Sequence, residues 1–254
     1  KKLFTFIILT IGFTVSAQIA TSSTTNSGTN ASAIGYQTSA TNTVSTAIGR
    51  ETLASGETST AMGYKTSATN TATTAMGNNS TASGITSTAI GNNSTASGET
   101  SIAMGFETEA THSASIAMGY QTSSTEGAST AMGFKTIASG NSSTAIGWLT
   151  TASGKASIAL GKSTIASDFG SLVIGQYNLS GSTVTNSATE ANYANTAFVI
   201  GNGTASNAKS DAFKVMVNGN TTIGNDLTVS GDIVVSSDAR LKANIVSLGA
   251  TLAK

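Results

Sequence analysis

Hydrophobic and small polar residues follow one another in a pattern that returns every fourteen residues from Ala33 to about Ser180. Each unit opens with a small residue, an aliphatic residue and glycine, as in Ala33-Ile34-Gly35, and we number these three as positions one to three. The eleven residues at position two are Ile34, Ile48, Met62, Met76, Ile90, Met104, Met118, Met132, Ile146, Leu160 and Ile174. A fixed period this short is typical of stacked supersecondary units rather than of a globular domain.

A unit of fourteen residues is too short for a helical hairpin but long enough for two short strands and two tight turns. The sequence therefore predicts an all-β fold in which each unit is one coil of a parallel β-solenoid. The invariant glycine at position three marks the first turn. Position ten is Gly56 in one unit and Asn42 in another, and such residues tolerate a positive φ, so position ten predicts the second turn.

Alternation of side chains along a strand places positions fourteen and two on one face. We expect the Ile and Met residues of position two to form one buried column, with small residues at positions six, eight and thirteen letting the two walls of a flat coil approach closely. Burial of one Ile or Met is worth about 1.5–3 kcal/mol, whereas ordering each residue costs about 1–2 kcal/mol. A single coil cannot pay this cost, so the pattern favours stacking of coils about 4.8 Å apart and association into a homotrimer.

The composition of the chain argues against several classes of function. Only 9% of residues are charged and the formal net charge is zero, so the chain has no basic field for nucleic acid. Proline is absent, as expected for a ladder in which every backbone N–H is needed. Cysteine is also absent, and His112, the only histidine, falls at a turn position. We therefore expect no metal site, no cofactor and no enzyme activity of the rod.

Aromatic residues recur at position four, directly after the glycine. They are Tyr36, Tyr64, Phe106, Tyr120, Phe134 and Trp148. Residues at one position of a solenoid lie above one another, so these side chains are predicted to form an interrupted column. Two interpretations are open: the column packs across a chain–chain interface, or it is an exposed adhesive strip with a large contact area.

Two segments carry a resemblance to a known family. Ser101-Ile102-Ala103-Met104-Gly105 and the run from Ala152 to Gly161 resemble the YadA-like head repeats of trimeric autotransporter adhesins. The resemblance implies a left-handed parallel β-roll over residues 19–176, with three chains packed around one axis. It also implies display on a bacterial cell surface, associated with the outer membrane, and adhesion to a host or matrix surface.

The first residues are typical of a secretory signal peptide. Lys1-Lys2 precedes an apolar run that reaches Val15-Ser16-Ala17. The run is short for a membrane span, which predicts cleavage after Ala17 and an exported chain.

The regular pattern ends after Gln176. We expect an insertion with a neck or cap over residues 177–203, since Phe198-Val199-Ile200-Gly201 resembles one last coil. Short alternating segments around Asn218-Gly219 predict a β-stalk over residues 204–235.

Residues 236–254 open with Ser236-Ser237-Asp238-Ala239-Arg240-Leu241-Lys242. This run resembles the start of the endosialidase-type intramolecular chaperone, a self-cleaving C-terminal domain whose remainder we expect after Lys254. The resemblance implies Ser237 as nucleophile and Lys242 as base, with a lysine desolvated at a trimer interface able to accept the serine proton. The alternative is that Ser237 only caps a helix.

Other functions fit parts of the sequence. Threonine pairs such as Thr58/Thr60 are compatible with an ice-binding solenoid, but position fourteen is interrupted by residues such as Ile102 and Ile116. A phage-like tail fibre is also compatible with the repeats, although the signal peptide favours export. The resemblance to the head repeats, together with the expected signal peptide, favours an exported, trimeric, non-enzymatic adhesin.

Overall fold

Each fourteen-residue unit folds into one coil made of a five-residue strand and a two-residue strand. The computed structural model describes residues 22–231, and in one unit the strands are Thr60–Tyr64 and Ser67–Ala68. Strands of successive coils pair in parallel, with Ala89 opposite Ala103 and Gly91 opposite Gly105. The prediction of a parallel β-solenoid with a fourteen-residue coil is confirmed.

The strands form two sheets. The long strands of the coils are Ser32–Tyr36, Thr46–Arg50, Thr60–Tyr64, Thr74–Asn78, Thr88–Asn92, Ile102–Phe106, Ile116–Tyr120, Thr130–Phe134, Thr144–Trp148, Ile158–Lys162 and Leu172–Gln176. The short strands are Thr25–Asn26, Ser39–Ala40, Leu53–Ala54, Ser67–Ala68, Thr81–Ala82, Thr95–Ala96, Glu109–Ala110, Ser123–Ser124, Ile137–Ala138, Thr151–Ala152 and Ile165–Ala166. We call them the long-strand sheet and the short-strand sheet. The strand Thr25–Asn26 belongs to an incomplete first coil.

Alanine fills the space between the two sheets. From Ala47 to Ala159 the alanines of position one are 0% exposed, and so are the alanines of position eight, such as Ala54. Ser and Thr at positions six and thirteen complete the interior, for example Thr52 and Ser59. No buried side chain from Thr38 to Ala166 is larger than threonine, which indicates that the two walls lie close together.

The expected buried column at position two is therefore wrong for the interior of the coil. In the strand Thr60–Tyr64 the side chain of Ala61 is buried, whereas Thr60 and Met62 are only half-buried. Positions fourteen and two do share a face, but it is the outer face of the long-strand sheet. The small residues expected to let the walls approach are themselves the core.

Many hydroxyl groups in this interior have no hydrogen-bond partner. Within residues 22–231 they are the side-chain oxygens of Thr38, Thr52, Thr66, Ser87, Ser101, Thr122, Thr136, Thr150 and Thr164. Serine at position six behaves differently, since Ser80 Oγ donates to the Gly91 carbonyl at 3.0 Å and Ser94 Oγ donates to the Gly105 carbonyl at 3.0 Å. Thr108 Oγ1 in turn donates to Ser94 Oγ at 3.0 Å.

The turns use positions five and twelve for the left-handed conformation. Lys65 has φ 53° and Thr58 has φ 55°. A turn does lie at position ten, but the prediction that its residue has a positive φ is wrong, because Gly56 is not in that region. A Cβ on Gly56 would instead lie 1.8 Å from the Asn70 carbonyl oxygen, so this glycine allows close approach of two coils.

The glycine of position three is required for two reasons. Gly105 has φ +136°, which side chains other than hydrogen rarely allow. A Cβ on Gly105 would also lie 2.0 Å from the carbonyl oxygen of Gly119 in the next coil.

The long-strand sheet continues beyond the regular coils. Thr196–Asn202 pairs in parallel with Leu172–Gln176, with Gly201 opposite Gly175, as the sequence predicts for a last coil. Asp211–Met216 then pairs antiparallel with Thr196–Asn202, and Thr221–Ile223 completes a hairpin. Residues 225–231 belong to a separate unit and contain no strand.

Candidate functional site

The outer face of the long-strand sheet carries most of the large side chains of the regular coils. Positions fourteen, two and four point to this side, because they alternate with the buried alanine of position one. We call it the column face. In one coil it presents Ile102, Met104 and Phe106, all half-buried in the single chain, and farther along Ile146 is 39% exposed.

The aromatic residues of position four form a stack along one edge of the column face. Phe106 and Tyr120 have ring centroids 4.9 Å apart and ring planes 8° apart. The next spacings are 5.0 Å from Tyr120 to Phe134 and 4.1 Å from Phe134 to Trp148. Tyr120 is 41% exposed and Trp148 is 49% exposed. The four rings are thus one continuous and partly exposed strip.

Tyr36 and Tyr64 lie farther along the same column, on either side of Arg50. The Arg50 guanidinium carbon is 5.7 Å from the Tyr36 ring centroid and 5.4 Å from that of Tyr64, within cation–π range. Arg50 also pairs with Glu51 at 3.1 Å, and Lys65 pairs with Glu51 at 3.6 Å. Interaction with the Tyr64 side chain, and then the charge of Glu51, raise the pKa of Lys65 above its ordinary value.

Asparagines separate the two aromatic segments. Asn78 and Asn92 occupy position four in the two intervening coils. At position five Asn79 Nδ2 donates to Asn93 Oδ1 at 2.7 Å. The edge of the column face therefore has an aromatic segment, a polar segment and a second aromatic segment interrupted by a cation.

The column face carries side chains suited to contact with another surface. It offers aromatic edges, aliphatic groups, thioethers and a few paired charges. Over residues 22–231 no group of three His, Cys, Asp or Glu side chains is placed to hold a metal ion. In the same part of the chain no helix has the length and apolar character needed to cross a membrane.

Ser237 and Lys242, the expected nucleophile and base, lie outside the described residues. The expected signal peptide, residues 1–17, also lies outside them.

Two aspartates organise the segment after the regular coils, and the sequence interpretation missed them. Asp168 is completely buried, and its carboxylate accepts the backbone N–H of Thr185 at 2.6 Å and of Thr196 at 2.7 Å. Asp211 accepts the N–H of Leu179 and Ser180 at 2.8 and 2.9 Å. Asp168 occupies position ten of the last regular coil, so it reads as a turn residue. Its place just before the pattern fails is the only signal the sequence offers.

The threonine pairs considered for ice binding, such as Thr58/Thr60, do not lie within one strand. Thr58 is a turn residue with φ 55°, whereas Thr60 begins a long strand.

A family model matches most of the solenoid. The model described as the YadA head domain repeat (2 copies) matches residues 27–52, 54–80, 82–108, 96–122, 113–136, 124–150, 138–164 and 152–178, which together cover more than half of the chain. No curated protein matches the chain.

Proposed function

Since this chain belongs to the YadA head domain repeat family and is an adhesin-type surface protein, we propose that three copies assemble into one non-enzymatic binding rod on a bacterial surface. The rod is exported by the signal peptide expected over residues 1–17. Assembly uses the column face, and binding to a host or matrix surface uses the aromatic strip along its edge.

The proposal rests on one observation: small side chains lie inside the coils, and large ones lie on the column face. From Thr38 to Ala166 the buried residues are only glycine, alanine, serine and threonine. The Ile and Met residues that bring the most hydrophobic free energy, about 1.5–3 kcal/mol each when fully buried, lie on the column face and are only partly buried by their own chain. A continuous apolar face of this kind is typical of an interface. Association of three copies completes the burial that one chain leaves unfinished.

Sedimentation velocity at micromolar concentration tests the assembly, with a matched pair of variants. Met118→Asp places a charge on the column face and is expected to yield monomers, because an unpaired charge is costly to bury. Ser123→Asp places the same charge on the outer face of the short-strand sheet and is expected to leave the trimer intact. A folded monomeric wild type, or equal effects of the two variants, contradicts the proposal.

Adhesion is tested with changes in the exposed part of the strip. Tyr120→Ala and Trp148→Ala are expected to reduce binding to host or matrix surfaces while the trimer persists, because the strip follows the edge of the column face and both side chains are more than a third exposed in the single chain. If the two changes dissociate the trimer instead, the column packs between chains and is not the adhesive strip.

The last part of the proposal concerns maturation of the full-length chain. Its support is the resemblance of residues 236–245 to the self-cleaving chaperone, with Ser237 as nucleophile and Lys242 as base. Trimerisation would desolvate Lys242 and favour its neutral form, so the cut between Ser236 and Ser237 would follow assembly. Denaturing gels of the complete chain test this. An uncut wild type, or cleavage that survives Ser237→Ala and Lys242→Ala, removes the dyad.

A further inference from the structure

Five of the six methionines of the chain occupy position two on the column face. They fall in two blocks. Met62 and Met76 are paired neighbours in adjacent coils, and Met104 pairs with Met118, which pairs with Met132. All five are half-buried in the single chain, so their thioether groups remain within reach of small molecules before assembly.

We propose that Met104 and Met118 are oxidation sites that control assembly: once their thioethers are oxidised, the chain no longer forms the trimer. This inference rests on the proposed trimeric function. The oxidant is a peroxide such as hydrogen peroxide. The sulfur attacks one peroxide oxygen, the O–O bond breaks, and the sulfur keeps that oxygen as a sulfoxide while the other oxygen leaves as water. Sulfur loses two electrons and the peroxide gains them.

The surroundings of these two residues make a sulfoxide costly. A sulfoxide is polar and accepts hydrogen bonds, so its burial requires a donor. On the column face Met104 lies between Ile102 and Phe106, which have no donor. Met118 lies between Ile116, which has none, and Tyr120, whose hydroxyl is at the far end of its ring. An interface closed over this segment would bury the Met104 oxygen without any donor on its own strand.

The other block has donors beside it. Met62 follows Thr60 and Met76 follows Thr74 on the same face, and Asn78 flanks Met76 on its other side. A sulfoxide at Met62 or Met76 can accept a hydrogen bond from these side chains. Met62 and Met76 are therefore expected to differ from Met104 and Met118 in their response to the same modification, which provides an internal control, whereas Met132 follows Thr130 and resembles Met62 and Met76 in this respect.

The experiment uses the whole chain, which has no cysteine to react with the oxidant. The unfolded chain is treated with hydrogen peroxide, the peroxide is removed, the chain is refolded, and the trimer fraction is measured by sedimentation velocity. Oxidised wild type is expected to lose trimer at least tenfold, and methionine sulfoxide reductases are expected to restore it. Met104→Leu/Met118→Leu treated in the same way is expected to keep the trimer, and Met62→Leu/Met76→Leu to lose it as wild type does.

The outcomes separate this inference from the function on which it rests. An untreated wild type that is a folded monomer refutes the trimer. A wild-type trimer that forms equally well after mass spectrometry has shown sulfoxide at Met104 and Met118 overturns the oxidation proposal alone. Rescue by Met62→Leu/Met76→Leu in place of Met104→Leu/Met118→Leu also overturns it. In the assembled trimer the two sites are expected to oxidise at least tenfold more slowly than in the unfolded chain, and equal rates contradict burial.

Discussion

The unpartnered hydroxyl groups inside the coils predict that a conservative substitution stabilises the protein. Thr66, Thr122 and Thr150 are at most 1% exposed, and none of their hydroxyls has a hydrogen-bond partner. Valine has the same branched shape without the polar atom. Each change of Thr to Val should therefore raise the free energy of unfolding, since the interior keeps its packing and loses an unpaired polar group.

The magnitude follows from the cost of leaving such a group unpaired, which is about 1–3 kcal/mol. We expect at least about 1 kcal/mol from each substitution at the low end of that range. The three sites are two or more coils apart, roughly 10 Å or more at about 4.8 Å per coil, so their effects should add. The triple variant should then gain about 3 kcal/mol or more.

Equilibrium unfolding in guanidinium chloride measures the effect, at one fixed protein concentration because the stability of an oligomer depends on concentration. Ser94→Ala is the matched control at the same position of another coil. It removes the donor to the Gly105 carbonyl and the acceptor of the Thr108 hydroxyl, so it should destabilise by about 1–3 kcal/mol. If the Thr-to-Val variants lose as much stability as Ser94→Ala, the threonine hydroxyls do have partners and the reasoning is refuted.

Three further substitutions test the geometry of the coil and of its end. Ala103→Leu should lower the free energy of unfolding by about 3 kcal/mol or more, because Ala103 is completely enclosed. Thermal unfolding followed by circular dichroism measures the loss, and a loss below about 1 kcal/mol contradicts a tight interior. Gly105→Ala should prevent folding because its Cβ would collide with the next coil. Gly219→Ala has open space around it and should cost only about 1 kcal/mol of φ strain. The yield of folded protein compares the two variants, and equal yields contradict the close approach of the coils at Gly105. Asp168→Ala should expose residues 177–195 to limited proteolysis, because two backbone N–H groups lose their acceptor; cleavage at the wild-type rate would show that Asp168 does not hold this segment.

The repeat was sufficient to predict the coil but not which residues lie inside it. The period of Ala103, Met104 and Gly105 fixes two strands and two turns per coil, and alternation correctly separates Ala103 from Met104. Hydrophobicity then favours Met104 for the interior, and this choice was wrong. The distance between the two walls of a coil decides the matter, and no single position of the repeat reveals that distance.

The candidate functional site was likewise only partly predictable from the sequence. The aromatic column was predicted because position four recurs with the period, and the stack from Phe106 to Trp148 follows directly. Asp168 and Asp211 were not predicted, because their partners are backbone N–H groups many residues away along the chain. Arg50 is one of the interruptions of the aromatic column, although its planar guanidinium continues the stack between two tyrosines.

The parallel ladder also determines how a tethered rod responds to a pull. Its strands run across the axis, so a force along the axis acts in line with the hydrogen bonds between coils and opens them one coil after another. An intact coil contributes about 4.8 Å of length, but its fourteen residues span up to about 50 Å when drawn out. The length contributed by a coil therefore increases about tenfold when that coil opens, while the remaining coils keep their structure. If such a rod held a cell to a surface, a sudden pulling force would extend the rod coil by coil instead of breaking the attachment at once.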